Sequence, residues 1–303
     1  MFAAALSLSV ALCAAAVPPA SPALDLLVLQ ADVIGLGSLT KQLESVTLLS
    51  DRGRPAEYLT AELTLTAGVK CPSQWTTVRA VVAEAGDAGH HLIKELLGQE
   101  RLWLLRKEPG TDLYRADLEA ERLSPERRLD VERTLEYLDR NLSCGQPNDG
   151  LQACAAWSAC APHEEGQPEL LLFAVENVSE KPVRLGTHPY QTRLRLVDAT
   201  GKPLPLSLYK WLKRARIRPP GKDHFLQIDP GQVLVINQRG AGIEPLTLPP
   251  GTLTGRNTPI RVELSASDDG ASVGLEDVWT GSVVSGAVGS SPPTTAPASP
   301  APD

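Results

Sequence analysis

Several features that would point directly to a function are missing from this chain of 303 residues. Aromatic residues make up only 4% of it, and no apolar run reaches the roughly 20 residues that a membrane-spanning helix needs. A basic surplus is also missing, since 36 acidic residues outnumber 29 lysines and arginines. Proteins that bind nucleic acids or anionic membranes generally carry such a surplus, because it releases counterions on binding. We therefore expect no nucleic-acid partner and no transmembrane segment.

The sequence also lacks the signatures of common hydrolases. It contains neither GxSxG, which presents a nucleophilic serine on a sharp turn, nor HExxH, which places two zinc ligands on one face of a helix. No CxxC pair is present to act as a redox dithiol, and no spacing pairs two carboxylates for acid and base catalysis. We therefore expect a protein that is not an enzyme and that requires no cofactor.

The first sixteen residues, MFAAALSLSVALCAAA, are apolar and end in three alanines. Small residues at this point are accepted by signal peptidase, so residues 1–16 are predicted to be a signal peptide that is cleaved before Val17. The composition, rich in Ala, Pro and Arg, suggests a bacterial source. We expect an exported protein, either periplasmic or extracellular.

Export decides how the cysteines are interpreted. Because thiols pair in an oxidising compartment, the four cysteines left after cleavage predict two disulfides; they are Cys71, Cys144, Cys154 and Cys160. Three connectivities are possible, and we favour Cys154 with Cys160 and Cys71 with Cys144. The alternative is a zinc site formed by Cys144, Cys154, Cys160 and His163, whose spacing matches no usual zinc knuckle. We predict no metal site.

Composition and periodicity divide the chain into segments. Residues 17–23 are a Pro-rich lead-in, and residues 287–303 are a Ser/Thr/Pro/Ala tail that is predicted to be disordered. Residues 24–143 predict a β domain, in which Leu59, Ala61 and Leu63 alternate with polar residues. Residues 144–166 contain three cysteines and are predicted to connect this domain to a second β domain, residues 167–286.

Two helices are predicted in the first domain. Ser124 can cap a helix that has Pro125 in its first turn, and its apolar residues recur at helical spacing; they are Val131, Leu135, Leu138 and Leu142. A weaker pattern in HHLIKELLG would turn Leu92, Leu96 and Leu97 inward. In the second domain, short strands alternate with the turn sequences ATGK, DPGQ and PPGT, which is typical of an antiparallel sandwich.

Both domains resemble known modules. The segments ADVIGLGSLTK, YLTAELTLTAGV and GQERLWLL of the first domain resemble the OB-type barrel of netrin-like and metalloproteinase-inhibitor modules. The segments LLLFAVENVSEKPVRL and IDPGQVLVI of the second are similar to bacterial immunoglobulin-like modules. The resemblance implies a mainly β fold, with an OB-like barrel carrying one or two helices, followed by an immunoglobulin-like sandwich. In the inhibitors an N-terminal cysteine reaches the target's zinc, and this chain has no cysteine near its predicted mature start.

One strongly basic segment stands out against the acidic background. Six positive charges lie within residues 210–222, interleaved with aromatic residues. The candidate binding residues are Tyr209, Lys210, Trp211, Lys213, Arg214, Arg216, Arg218 and Lys222. Cations beside aromatic faces suit an anionic glycan, a lipid headgroup or an acidic protein patch. The alternative is a solvated loop whose Trp211 and Leu212 rest on the sandwich.

These observations predict a non-catalytic binding or scaffolding protein of the bacterial cell envelope. The alternative, suggested by the barrel resemblance alone, is an inhibitor of secreted peptidases. A zinc-dependent enzyme is a third possibility and would require the cysteines to be reduced. Asn141 and Asn177 match the glycosylation acceptor pattern, which is short enough to occur often by chance.

Overall fold

The computed structural model describes residues 24–49, 55–70, 77–116, 124–158, 168–188, 191–204, 221–237, 240–241, 244–252, 254 and 258–289. In this part of the chain, seventeen strands and three α-helices make a mainly β protein, as the sequence predicted. The predicted signal peptide and lead-in lie outside the described residues, as do Cys71, Cys160 and His163.

The first six strands form a barrel. They are β1 Val33–Gln42, β2 Val46–Leu49, β3 Pro55–Lys70, β4 Thr77–Glu84, β5 Arg101–Lys107 and β6 Leu113–Ala116. β1 pairs with both β5 and β3, so the order β1-β5-β6-β4-β3 closes on itself, and β2 extends the sheet beyond β3. β4 and β6 are parallel, whereas the other pairs in this sheet are antiparallel. Five strands of a mixed sheet therefore close the barrel.

Glycine in β1 allows the barrel to close. A Cβ atom at Gly37 would lie 2.4 Å from the carbonyl oxygen of Thr64 on β3, which is closer than a carbon and an oxygen can approach. The indole N–H of Trp103 donates a hydrogen bond to the Gly37 carbonyl oxygen at 2.9 Å. Gly37 therefore permits close contact with β3 while its carbonyl oxygen accepts a bond from β5.

The two predicted helices are present. Helix α2, Asp87–Leu96, joins β4 to β5 and buries Ile93 and Leu96, with Leu92 and Leu97 half-buried beside them. Helix α3, Arg128–Asn141, follows a 3₁₀ turn at Pro125–Arg127.

Helix α3 buries Val131 and Leu138 as its periodicity predicted, with Leu135 and Leu142 partly buried beside them. Ser124 occupies the N-cap position of the 3₁₀ turn, with Pro125 in the first turn, as predicted. Ser124 makes no side-chain capping bond, and a hydrogen bond with its side chain lowers the pKa of the exposed Glu126 carboxyl instead.

The later strands form an antiparallel sandwich. They are β7 Ser143–Cys144, β8 Leu151–Trp157, β9 Glu169–Asn177, β10 Val183–Gly186, β11 Thr192–Asp198, β12 Phe225–Ile228, β13 Val233–Asn237, β14 Gly240–Ala241, β15 Leu246–Leu248, β16 Ile260–Ala266 and β17 Gly281–Val284. One sheet has the order β14-β13-β9-β8-β7, with β15 also on β9. The facing strands are β11-β16-β17 and the pair β10-β12. Phe173, Leu196 and Val262 are among the buried residues between them.

Residues 143–157 belong to this sandwich, although the sequence assigned residues 144–166 to a connection. β8 pairs along its whole length with β9, from Leu151 opposite Asn177 to Trp157 opposite Leu171. The alanine-rich composition of β8 resembles that of a linker. The alanines are small because β8 is covered on both faces, with Ala155 in the sandwich core and Ala156 facing the helices.

Helix α1, Leu24–Gln30, lies between the barrel and the sandwich and was not predicted. It packs on α3, β5 and β13, and its residues Leu26 and Val28 are fully buried. The same apolar cluster includes Leu102 of the barrel and Leu172 of the sandwich sheet. The two β modules therefore share a hydrophobic core and do not merely follow each other along the chain.

The three tryptophans among the described residues belong to the core. Trp103, Trp157 and Trp279 are each less than 7% exposed, and the indole N–H of each donates to a backbone carbonyl oxygen. The carbonyl that accepts from Trp157 belongs to Gly289. Val288 is also buried and exchanges two backbone hydrogen bonds with Ile260, so the fold extends three residues into the predicted tail.

Candidate functional site

The basic segment is only partly within the described residues. Tyr209, Lys210, Trp211, Lys213, Arg214, Arg216 and Arg218 lie outside them. Lys222 is described and is exposed in the 3₁₀ turn Lys222–His224, directly before β12.

The sandwich holds both described ends of the segment. Before the segment, Leu204 donates its backbone N–H to the carbonyl oxygen of Leu196 at 2.8 Å, and Pro203 forms a β-bridge with Val197. These contacts bind the outgoing chain to strand β11. After the segment, the carbonyl oxygen of His224 accepts hydrogen bonds from the backbone N–H of Thr187 at 2.7 Å and from its hydroxyl at 3.0 Å.

Two histidines meet at the returning end of the segment, a contact that the sequence analysis missed. The rings of His188 and His224 are perpendicular, with their centroids 4.7 Å apart. Nδ1 of His224 accepts a hydrogen bond from the backbone N–H of Gly221 at 3.1 Å. These contacts fix the position of the turn that carries Lys222. Among the described residues, no group of three or more His, Cys, Asp or Glu is arranged to hold a metal ion.

A disulfide joins Cys144 to Cys154 across strands β7 and β8. Each of the two pairings that we favoured from the sequence uses one of these cysteines, so both are wrong. The reason is register: the turn between β7 and β8 places the two residues directly opposite each other. Since both sulfurs are in the disulfide, neither can serve as the thiolate ligand that the alternative zinc site requires. The disulfide ties the end of α3 to the sandwich edge.

A cluster of charged side chains lies where the barrel meets the sandwich. We define the junction cluster as Asp32 before β1, Lys70 at the end of β3 and Glu176 on β9. Asp32 accepts a hydrogen bond from the backbone N–H of Lys107 at 2.7 Å, and Lys70 donates to the carbonyl oxygen of Ala31. Because these groups come from distant parts of the chain, no local sequence pattern could have identified them.

Burial dominates the ionisation of the junction cluster. It raises the pKa of Asp32, an effect offset in part by the hydrogen bond from Lys107 and by the charge of Lys70. It lowers the pKa of Lys70, against the attraction of Asp32, Glu176 and Asp139. It also raises the pKa of Glu176, and Lys70 opposes this rise. Three half-buried charges are therefore held together at the interface at a cost in solvation.

Further hydrogen bonds, and an ion pair between Lys107 and Asp229 at 3.9 Å, extend the same interface. Asp229, in the turn between β12 and β13, accepts bonds from the Gly110 backbone N–H at 3.0 Å and from the Gln227 amide at 2.8 Å. The amide of Gln232 donates to the carbonyl oxygen of Lys107 at 3.0 Å. The β5–β6 loop of the barrel is thus bonded to a turn of the sandwich. Together with the shared core, these bonds fix the relative orientation of the two modules.

We expect the junction cluster to add stability as the pH falls from neutrality. Because the folded-state pKa values of Asp32 and Glu176 are raised, the folded chain binds these protons more tightly than the unfolded chain. The contribution of the two carboxyls to stability grows as the pH falls through their raised pKa values toward the ordinary pKa values of 3.8 for Asp and 4.5 for Glu. In the double variant Asp32→Asn, Glu176→Gln, the free energy of unfolding should therefore fall relative to the wild type as the pH is lowered. Urea titrations at a series of pH values measure this difference.

A matched control replaces Asp112 by Asn and Glu136 by Gln, since these acids form exposed ion pairs with Arg79 and Arg140. Exposed pairs contribute little, so the control should follow the wild-type pH dependence. A junction variant whose stability relative to the wild type is constant or rises on acidification would contradict the expected role of the cluster.

Comparison of the chain with protein-family models, with curated proteins and with solved structures finds no match. Among the described residues, none of the helices is long and apolar enough to cross a membrane.

Proposed function

We propose that the protein is an exported, non-catalytic binding or scaffolding protein of the bacterial cell envelope. The apolar leader with its alanine end supports export to the periplasm or the exterior. The disulfide between Cys144 and Cys154 agrees with an oxidising compartment. The resemblance to netrin-like and immunoglobulin-like modules belongs to the same proposal, and the strand connectivity of the barrel supports its first part.

The observation that carries the proposal is the sheet that is buried on both faces. Phe173 of β9 faces the sandwich core, whereas its neighbour Leu172 faces helices α1 and α3 and the barrel. A barrel and a sandwich that share a core behave as one rigid body, which presents its loops in fixed relative positions. This property suits a scaffold, because a partner that contacts both modules meets a preorganised surface.

The basic segment is the proposed contact surface. Its residues Lys213, Arg214, Arg216 and Arg218 supply cations for an anionic glycan, a lipid headgroup or an acidic protein patch. The bonds from Leu204 to β11 and from Thr187 to His224 support this assignment, because they hold the two ends of the segment on a rigid sheet.

Replacing Lys213, Arg214, Arg216 and Arg218 by serine should weaken retention on immobilised heparin or lipopolysaccharide. Each lost cation removes about one released counterion, so elution should shift to clearly lower salt. The matched control replaces four cations of helix α3 and its preceding turn, Arg127, Arg128, Arg133 and Arg140, and has the same net charge. Equal retention of both variants and the wild type would remove the basic segment as the contact surface.

A further inference from the structure

A row of three arginines lies on the β11–β16 ladder of the sandwich. We define the arginine row as Arg193 and Arg195 of β11 and Arg261 of β16. The ladder pairs Arg193 with Ser265, Arg195 with Glu263, and Arg261 with Val197. The arginines therefore occupy three successive alternate rungs of one ladder. Since two residues of a strand span about 6.6 Å, the row is about 13 Å long.

The opposite face of the same ladder sets the direction of these side chains. Leu194, Leu196, Val262 and Leu264 are buried in the sandwich core, at 3% exposure or less. Because residues alternate along a strand, their neighbours lie on the other face of the ladder. That face is exposed at Arg193 and Arg195, whereas Val197, which is paired with Arg261, is buried at 2% exposure. Arg193 and Arg195 are exposed, and Arg261 is partly exposed. The strand pairing thus fixes the backbone positions of the three arginines before any ligand binds.

The guanidinium groups of the row make no direct contact with an acid in the described part of the chain. None of the three arginines forms an ion pair or a side-chain hydrogen bond with a described residue, and the Nε atom of Arg261 is buried without a partner. Glu263 lies opposite Arg195, where an ion pair would be expected, but its carboxylate accepts a hydrogen bond from the Ser282 hydroxyl at 2.8 Å.

The other acids near the ends of the ladder are engaged elsewhere. Asp198 accepts bonds from the hydroxyl and backbone N–H of Thr200 and from the backbone N–H of Lys202. Asp268 accepts bonds from Gly270 and from the amide of Gln191. Three unpaired guanidinium groups on a rigid line form a ready binding surface for an anion.

We propose that the arginine row binds an extended, linear polyanionic glycan that lies along the β11–β16 ladder. The inference rests on the proposed function, and it narrows the ligand to one of the classes named there. A linear chain fits because the cations form a line, with the acid Glu263 turned toward β17 on one side of it. A flat lipid surface would bring anionic headgroups onto Glu263 as well as onto the row. Leu204, the last described residue before the basic segment, is hydrogen-bonded to Leu196 of β11.

The test compares binding of a fluorescent heparin oligosaccharide to the wild type and to the variant Arg193→Thr, Arg195→Thr. Threonine favours strands, so the exposed positions should tolerate it and the unfolding midpoint should not change. We expect affinity to fall at least about tenfold, and the slope of log K against log salt to fall by about two, one for each lost contact. The matched control Arg79→Thr, Arg140→Thr removes two exposed arginines elsewhere and should retain wild-type affinity.

A gain in affinity provides a second measurement that does not depend on a weakened protein. Glu263→Gln removes the acid beside the row, and its amide oxygen can still accept from Ser282. This variant should bind the oligosaccharide severalfold more tightly. Unchanged or weaker binding of Glu263→Gln, or wild-type binding of the threonine variant, would overturn the inference.

The experiment separates the failure of this inference from that of the proposed contact surface. Loss of binding in the serine variant of the basic segment, with wild-type binding in the threonine variant, overturns only the arginine row. The reverse result supports the row and removes the segment. Binding to vesicles rich in phosphatidylglycerol is measured with the same variants. If the arginine row is needed for vesicle binding but not for heparin binding, a lipid surface is the ligand and the glycan assignment is wrong.

Discussion

Replacing Leu26 by alanine is expected to lower the free energy of unfolding by about 3 kcal/mol, within the 2–5 kcal/mol typical of buried leucines. Leu26 is fully buried on α1, in the core shared by the barrel and the sandwich. The cavity therefore removes contacts from both modules at once. Urea unfolding should show a lower midpoint with an unchanged slope, which is the behaviour of a single cooperative unit.

Hydrogen exchange tests whether the loss is shared. Amides of β3 in the barrel and of β16 in the sandwich should lose protection together in the Leu26→Ala variant, because one global opening exposes both. The control is Leu129→Ala on α3, where the same atoms are removed from a side chain that is 61% exposed. Its stability should lie within about 0.5 kcal/mol of the wild type. Loss of protection confined to one module would show that the core does not couple them.

Replacing Asn177 by alanine is expected to cost a similar amount, about 3 kcal/mol, through lost hydrogen bonds. Asn177 is fully buried at the end of β9. Its amide donates to the carbonyl oxygens of Lys181 at 2.7 Å and Ile228 at 2.8 Å. Its side-chain oxygen accepts from the backbone N–H and the hydroxyl of Ser179. The variant leaves several buried polar groups unpaired, and thermal or urea unfolding measures the cost.

Two further variants calibrate this result. Ser179→Ala removes the hydroxyl but keeps the backbone bond to Asn177, so it should cost about 1 kcal/mol. Asn141→Ala removes one bond, to the carbonyl oxygen of Tyr137, from a half-buried position. If Asn177→Ala were no worse than Asn141→Ala, the buried network would not stabilise the β9 turn. In the folded chain, both amide hydrogens of Asn177, the asparagine of the NVS pattern, are engaged in these bonds.

Local patterns predicted those elements that present one apolar and one polar face. The alternation through Leu59, Ala61 and Leu63 marked β3, and the helical spacing of Val131 and Leu138 marked α3. In such elements the boundary between core and solvent runs along the element itself. The pattern of apolar and polar residues is therefore local in the sequence. It can be recognised without knowing which element packs against the apolar face.

The same patterns failed where an element is covered on every side. LDLLVLQ is apolar except for Asp25 and Gln30, which are also buried. It forms α1 because it lies between a barrel, a second helix and a sheet. LQACAAW resembles a linker, and it forms β8 because small residues let β9 and the helices approach. A segment without a solvent face carries no periodicity, so composition alone misassigned it.

The disulfide shows a similar limit. Four cysteines after a predicted signal peptide led us to expect disulfides but not their correct pairing, because pairing depends on which residues a turn brings into register. The β7–β8 turn places Cys144 opposite Cys154. The arginine row has the same origin, since TRLRL indicates alternating arginines but only the β11–β16 register adds Arg261 to them.

The amino-acid sequence by itself determined that the protein is mainly β, where several of its strands and two of its helices lie, and which segment is strongly basic. These properties depend on the order of neighbouring residues, whose contacts with water or core repeat at a fixed period. Only the tertiary structure decided that Asp32, Lys70 and Glu176 meet, that the barrel and the sandwich share one core, and that three arginines form a line. Each of these depends on distances between residues far apart in the chain, which chain folding sets through packing and strand register and which no local pattern contains.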